Sequence, residues 1–193
     1  FKEKKKQRLV DYNSIMGGQK EILSDEEKAL RERKRISSSG IVSYHWSEDS
    51  KTLMFPLNGD LYLYDVETKK VDQLTKTKEA ELDPKISPKG NYVSFVRNNN
   101  LVVVHVKTKK EIKLTTKGSK EKPIGRAEFV AQEEMARYTG YWWAPDDSAI
   151  AFIQYDETPV DSIKRFEFYP TGLKIIEQKY PKTGSKNVTY KMG

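Results

Sequence analysis

Residues 47–75 lie over residues 87–115 without a gap, and ten of the 29 aligned positions are identical. They are Ser47/Ser87, Phe55/Phe95, Asn58/Asn98, Leu61/Leu101, Val66/Val106, Thr68/Thr108, Lys69/Lys109, Lys70/Lys110, Leu74/Leu114 and Thr75/Thr115. A 40-residue internal repeat narrows the possible folds more than any other property of the chain. Each copy reads as strand, turn, strand, turn, strand: TLMFPL, NGD and LYLYDV in the first, YVSFVR, NNN and LVVVHV in the second. Asn58-Gly59 is a strong hairpin signal, because both residues tolerate the positive φ of a type I′ turn. DVETKKVDQLT and HVKTKKEIKLT add a polar turn and a further strand. With a strand ahead of each serine, in IVSYHW and DPKI, every copy supplies four strands, the count and period of a propeller blade.

A third copy begins at Trp143-Ala144-Pro145-Asp146 and continues into AIAFIQY, with Phe152 standing where Phe55 and Phe95 stand. The step from Phe55 to Phe95 is 40 residues and that from Phe95 to Phe152 is 57, so 17 residues are inserted between Thr115 and Trp143. Insertions in repeat proteins fall in loops at strand ends, where function concentrates.

The charge balance is basic, with 35 Lys and Arg against 28 Asp and Glu. The basic residues are scattered, and the densest run, Phe1–Arg8, reads as a solvated tail. Nucleic-acid binding through counterion release therefore ranks last among the functions considered. The absence of cysteine excludes a disulfide framework and a thiolate zinc site, and no cofactor is implied. The longest uninterrupted apolar run, Ala149–Ile153, is far too short to span a bilayer.

The insertion contains EFVAQEEMARY, Glu128–Tyr138, which is rich in helix formers and free of Gly and Pro. On such a helix Glu133 and Arg137 stand at i,i+4, and Glu134 and Arg137 at i,i+3. One reading is a pair of exposed intrahelical ion pairs. The other is that two neighbouring carboxylates hold a cation, such as a primary ammonium with three N–H donors. Trp142 and Trp143 read as packing residues, one in the blade core and one on the inserted helix, with a stacking platform as the alternative. Ser24-Asp25-Glu26-Glu27 fits a capping box opening a helix through EKALRERKRI, expected to lie across the outside of the propeller.

The stretch EFVAQEEMARYTGYWWAPDDSAIAFIQYDETPV resembles the Glu-Glu helix and following blade of the dipeptidyl peptidase IV family of prolyl oligopeptidase-class serine peptidases. KYPKTGSKNVTYKMG is similar to that family's Tyr-Pro-Lys-Ala-Gly segment, and RKRISSSGIVSYHWSEDSKTLMFPLNGDLYLYD resembles bacterial members. The resemblance implies an eight-bladed propeller capping an α/β-hydrolase domain. It also implies that the paired glutamates, here Glu133 and Glu134, bind the free amino terminus of a peptide substrate, so that a dipeptide is released after Pro or Ala.

The chain is then expected to be mainly β, an N-terminal portion of a propeller with about three blades and part of a fourth. Residues 1–40 would form a basic tail and helix, followed by blades near 41–75, 82–115 and 141–169 and a partial blade after 175. No Gly-x-Ser-x-Gly elbow occurs, and His45 and His105 alternate within strands, so no catalytic residue is expected in this chain. Arg97 and Arg126 stand as substitutes for the family's carbonyl-holding arginine, without a motif behind them. The implied partners are peptides with a free N-terminus and an α/β-hydrolase domain of the same protein. A homo-oligomer is also expected, because open strand edges invite pairing. Bacterial periplasm and cytoplasm are both compatible with this composition. A propeller scaffold that binds proteins without chemistry is the alternative function.

Overall fold

The computed structural model describes residues 6–193, so residues 1–5 of the basic tail lie outside the described residues. Two helices, α1 (Tyr12–Met16) and α2 (Asp25–Arg33), precede the sheets. The first sheet runs β1 (His45–Trp46), β2 (Thr52–Leu57), β3 (Asp60–Asp65), β4 (Val71–Gln73). The second runs β5 (Leu82–Ile86), β6 (Tyr92–Arg97), β7 (Asn100–His105), β8 (Glu111–Lys113). Both are antiparallel with strands in chain order, so the repeat is a four-stranded blade, as its spacing implies.

The identities of the repeat have identifiable jobs. Asn58 and Gly59 (φ 53° and 86°) and Asn98 and Asn99 (φ 49° and 61°) make the matching tight turns. The Ser47 hydroxyl accepts from the Thr52 amide (2.9 Å), as Ser87 does from Tyr92 (3.0 Å). Thr75 and Thr115 accept from the amides of Leu61 and Leu101, at 2.8 and 2.9 Å. Lys69 and Lys109 both take positive φ at the second turn.

One apolar layer joins the first two sheets face to face: Met54, Leu61, Leu63 and Leu74 against Val93, Phe95, Val102 and Val104. A second layer, Val96, Leu101, Ile124 and Tyr141, joins the second sheet to the third. The other face of the first sheet, with Leu53, Phe55, Leu57 and Tyr64, is covered by Val10, Ile15, Met16 and Ile41. The segment of α1, with Ile41 beyond α2, thus packs on a blade face.

The third sheet departs from the expected boundaries. After α3 (Phe129–Glu134), it is built from β9 (Tyr141–Trp143), β10 (Ile150–Asp156) and β13 (Thr189–Met192), in the order β13-β10-β9. Between β10 and β13 the chain makes a separate hairpin, β11 (Ser162–Tyr169) and β12 (Gly172–Lys179), paired over eight positions. Ser162–Tyr169 is therefore a hairpin strand and not the third strand of the blade. The residues after 175 first complete that hairpin and then close the third sheet, where a partial fourth blade had been expected. The reason is pairing: the free edge of β10 accepts Thr189–Met192, extended by reciprocal Phe152–Gly193 backbone bonds of 2.9 and 3.0 Å. The architecture is mainly β, an incomplete propeller of antiparallel sheets with few helices.

Candidate functional site

The insertion holds a helix shorter than its composition suggests. It starts at Glu128, whose carboxylate accepts from the amides of Val130 (2.6 Å) and Ala131 (2.9 Å) and so caps α3. It ends at Met135, after which Ala136 takes φ 50° and turns the chain away. Glu133 and Glu134 are therefore the last two helical residues, at the exposed end of a six-residue helix.

This early end overturns the expected intrahelical pairs. Arg137 is off the helix axis and donates from Nη1 to the Thr139 carbonyl (2.9 Å), with Nη2 3.8 Å from Glu128. Glu133 instead lies between Arg33 Nε (4.0 Å) and Arg35 Nη2 (3.8 Å), with a quarter of its side chain exposed. Glu134 is exposed and makes no ion pair with a described residue. Neither carboxylate accepts a hydrogen bond from a described residue, so both keep their acceptor capacity for an incoming donor.

Arg33 and Arg35 are the residues that sequence reasoning missed, although the run RKR at the C-terminal end of the helix that the capping box opens was a usable signal. Arg33 Nη1 donates to Gln132 Oε1 (3.0 Å), and its guanidinium lies 5.3 Å from the Phe129 ring centre. Gln132 in turn donates to the Ala127 carbonyl (2.6 Å), and Tyr138 donates to the Arg33 carbonyl (3.4 Å). Burial pulls the Arg33 pKa down, with Arg126 adding to the effect and Glu133 opposing it. Its guanidinium remains a cation at any physiological pH.

The chain after the helix is fixed to the second sheet. Lys85 Nζ donates to Thr139 Oγ1 and to the Tyr141 carbonyl, and lies 4.0 Å from the Tyr141 ring centre. The Tyr141 hydroxyl donates to the Asp83 carbonyl (2.5 Å), with the Ser94 carbonyl 3.1 Å away. Burial, then Asp83, pushes that phenol well above its ordinary pKa, so it stays a donor. Gly140 passes so close to Arg126 that a Cβ would stand 2.5 Å from the Arg126 carbonyl, which excludes any side chain there.

Tyr141, not a tryptophan, fills the core. Trp143 stacks on Tyr92 and donates to Ser94 Oγ (2.8 Å), whereas Trp142 is exposed, 5.9 Å from Lys85 Nζ. Arg97 is committed elsewhere, to Glu81 (3.2 Å) and to Glu111 (2.9 Å), and Arg126 Nη1 donates to Asn99 Oδ1 (3.2 Å). His105 packs edge-on to Tyr92 and accepts from the Thr108 amide (3.2 Å), while His45 lines a small cavity with Lys34 and Asp83. A cavity of about 360 Å³ opens on the Arg33–Phe129 side of α3, walled by Glu157 and by Glu177 and Lys179 of the hairpin. Among the described residues no cluster of three His, Asp or Glu is arranged to hold a metal, and no helix is long and apolar enough to cross a membrane.

Residues 38–193 match the family model described as the dipeptidyl peptidase IV N-terminal region. The chain is 30% identical over 199 residues to dipeptidyl peptidase 8 of Homo sapiens, covering 89% of this chain and 22% of that protein. It is 38% identical over 108 residues to dipeptidyl aminopeptidase A of Saccharomyces cerevisiae, covering 52% of this chain and 11% of that protein. Among solved structures, dipeptidyl peptidase 4 of Porphyromonas gingivalis superposes with a TM-score of 0.70 at 25% identity, covering 81% of this chain and 24% of that one. The chain thus spans less than a quarter of the length of each of these three relatives.

Proposed function

The chain belongs to the dipeptidyl peptidase IV family, in its N-terminal region, and from that premise we propose that it is the substrate-gating part of a serine exopeptidase releasing dipeptides after Pro or Ala. In this reading Glu133 and Glu134 bind the free amino terminus of the substrate, and an α/β-hydrolase domain of the same protein supplies the catalytic triad. This chain alone is inactive. Self-association of the parent protein belongs to the same proposal.

The observation that carries the reading is a pair of adjacent carboxylates at the open end of α3 that accept no hydrogen bond from a described residue. A substrate ammonium brings three N–H donors and one positive charge, which suits two acids better than a guanidinium held 3.8–4.0 Å away. Arg33 and Arg35 limit the mutual repulsion of the acids before substrate arrives. Binding the amine at a fixed place makes the pair a ruler, since only a bond at a set distance from the terminus then reaches the nucleophile.

The test is the Glu133→Ala, Glu134→Ala double variant of the full-length protein. Its kcat/KM for dipeptide release should fall about a hundredfold or more, while hydrolysis of N-blocked substrates changes little. Equal losses on both substrates would make the pair structural, and no peptide turnover in the parent protein would favour a binding scaffold.

A further inference from the structure

The helix carrying the Glu pair has six residues, too few to hold its own geometry in water. Its direction must therefore come from tertiary contacts, the Arg33–Gln132 bond in its body and the anchoring of its first turn among them. At the N-terminal end stands Glu128, 3% exposed, whose two oxygens accept from Val130 and Ala131. A buried carboxylate that caps a helix fixes that helix only if the carboxylate is itself held. The side chain that donates a hydrogen bond to it is Tyr190, whose hydroxyl lies 2.9 Å from Glu128 Oε1, 62 residues along the chain. Arg137 Nη2, at 3.8 Å, adds charge without a hydrogen bond.

Tyr190 lies on β13, where it pairs with Tyr155 of β10, so its backbone is set by the third sheet. Its side chain is half exposed and belongs to none of the apolar layers that hold the sheets together. Among the described residues the hydroxyl makes one hydrogen bond, and that bond leads to the first turn of α3. We propose that Tyr190 is a positioning residue for the amino-terminus site: through Glu128 it passes the placement of the third sheet to α3, and so sets where Glu133 and Glu134 stand. The proposal rests on the amine-binding reading of that pair. Burial, then the bond to Glu128, pushes the Tyr190 phenol up to about 12, so it keeps its proton and goes on donating throughout the working range of a peptidase.

Tyr190→Phe removes the hydroxyl alone. In the full-length protein it should raise KM for free-amine dipeptide substrates about tenfold, with kcat and the turnover of N-blocked substrates changed less than about twofold. The melting temperature should stay within about 2 °C of wild type. Glu128→Gln, which keeps an oxygen acceptor but loses the charge, should move the same ratio in the same direction. An unchanged ratio in Tyr190→Phe, or equal losses on both substrate types, overturns the positioning role. The Glu133→Ala, Glu134→Ala variant separates the two ideas. If it discriminates between substrates and Tyr190→Phe does not, only the positioning role fails; if neither discriminates, the amine-binding reading fails and takes the positioning role with it.

Discussion

At the scale of single residues, the Glu pair was legible in the sequence and its surroundings were not. The dipeptide and the Gly-Tyr-Trp-Trp that follows stand together in the chain, but the partners of Glu133 come from almost a hundred residues earlier. The expected i,i+4 pair with Arg137 presumed a helix that continued, and Ala136 ends it by taking φ 50°. A left-handed conformation brings the alanine Cβ too close to the carbonyl oxygen, a strain that glycine avoids. Ala136→Gly should therefore stabilise the protein by about 1 kcal/mol, read as a higher urea midpoint with an unchanged slope. Destabilisation would mean that the gain in unfolded-chain entropy outweighs the relief of strain. The Glu128–Tyr190 contact had no sequence signature, since nothing in either neighbourhood encodes a bond across 62 residues.

At the scale of elements, the repeat made eight strands legible because each blade carries its own turn residues. Asn58 and Asn98, Ser47 and Ser87, and Thr75 and Thr115 perform paired tasks within a few residues of the strands they end. The hairpin of β11 and β12 was misread because alternation reveals a strand without naming its neighbour. Helix α2 was also legible: Ser24 Oγ accepts from the Glu27 amide (3.1 Å), and the Glu27 carboxylate accepts from the Ser24 amide (3.1 Å). Its C-terminal end presents Arg33 to Gln132 and Glu133, so the cap supports the site from a distance. Ser24→Ala should destabilise the protein by about 1 kcal/mol in thermal or urea unfolding. Retained stability would show that tertiary contacts, and not the cap, hold the helix.

At the scale of the whole molecule, successive blades are joined by polar links as well as by shared apolar layers. Glu81, between the first two sheets, accepts from Thr75 Oγ1 (2.9 Å) and Thr77 Oγ1 (2.8 Å) and meets Arg97 of β6 at 3.2 Å. Burial pushes its carboxyl up to about 7, against the hydroxyl bonds and Arg97, while Asp60 adds to the rise. The folded chain thus binds this proton more tightly than the unfolded chain, where the group titrates near 4.5. The stability it contributes is complete below that value and is lost as pH rises through about 7. Glu81→Gln should flatten the fall in melting temperature between pH 5 and pH 8, and an unchanged slope would assign the dependence to other groups. The strand order of the third sheet also bears on synthesis. A nascent chain holds everything needed for the first two sheets once Lys113 has emerged, and each can close as its strands are made. β10 cannot, because its partner on one side is Thr189–Met192. While the ribosome adds the hairpin, that strand waits with an open edge, the condition in which nascent chains find wrong partners.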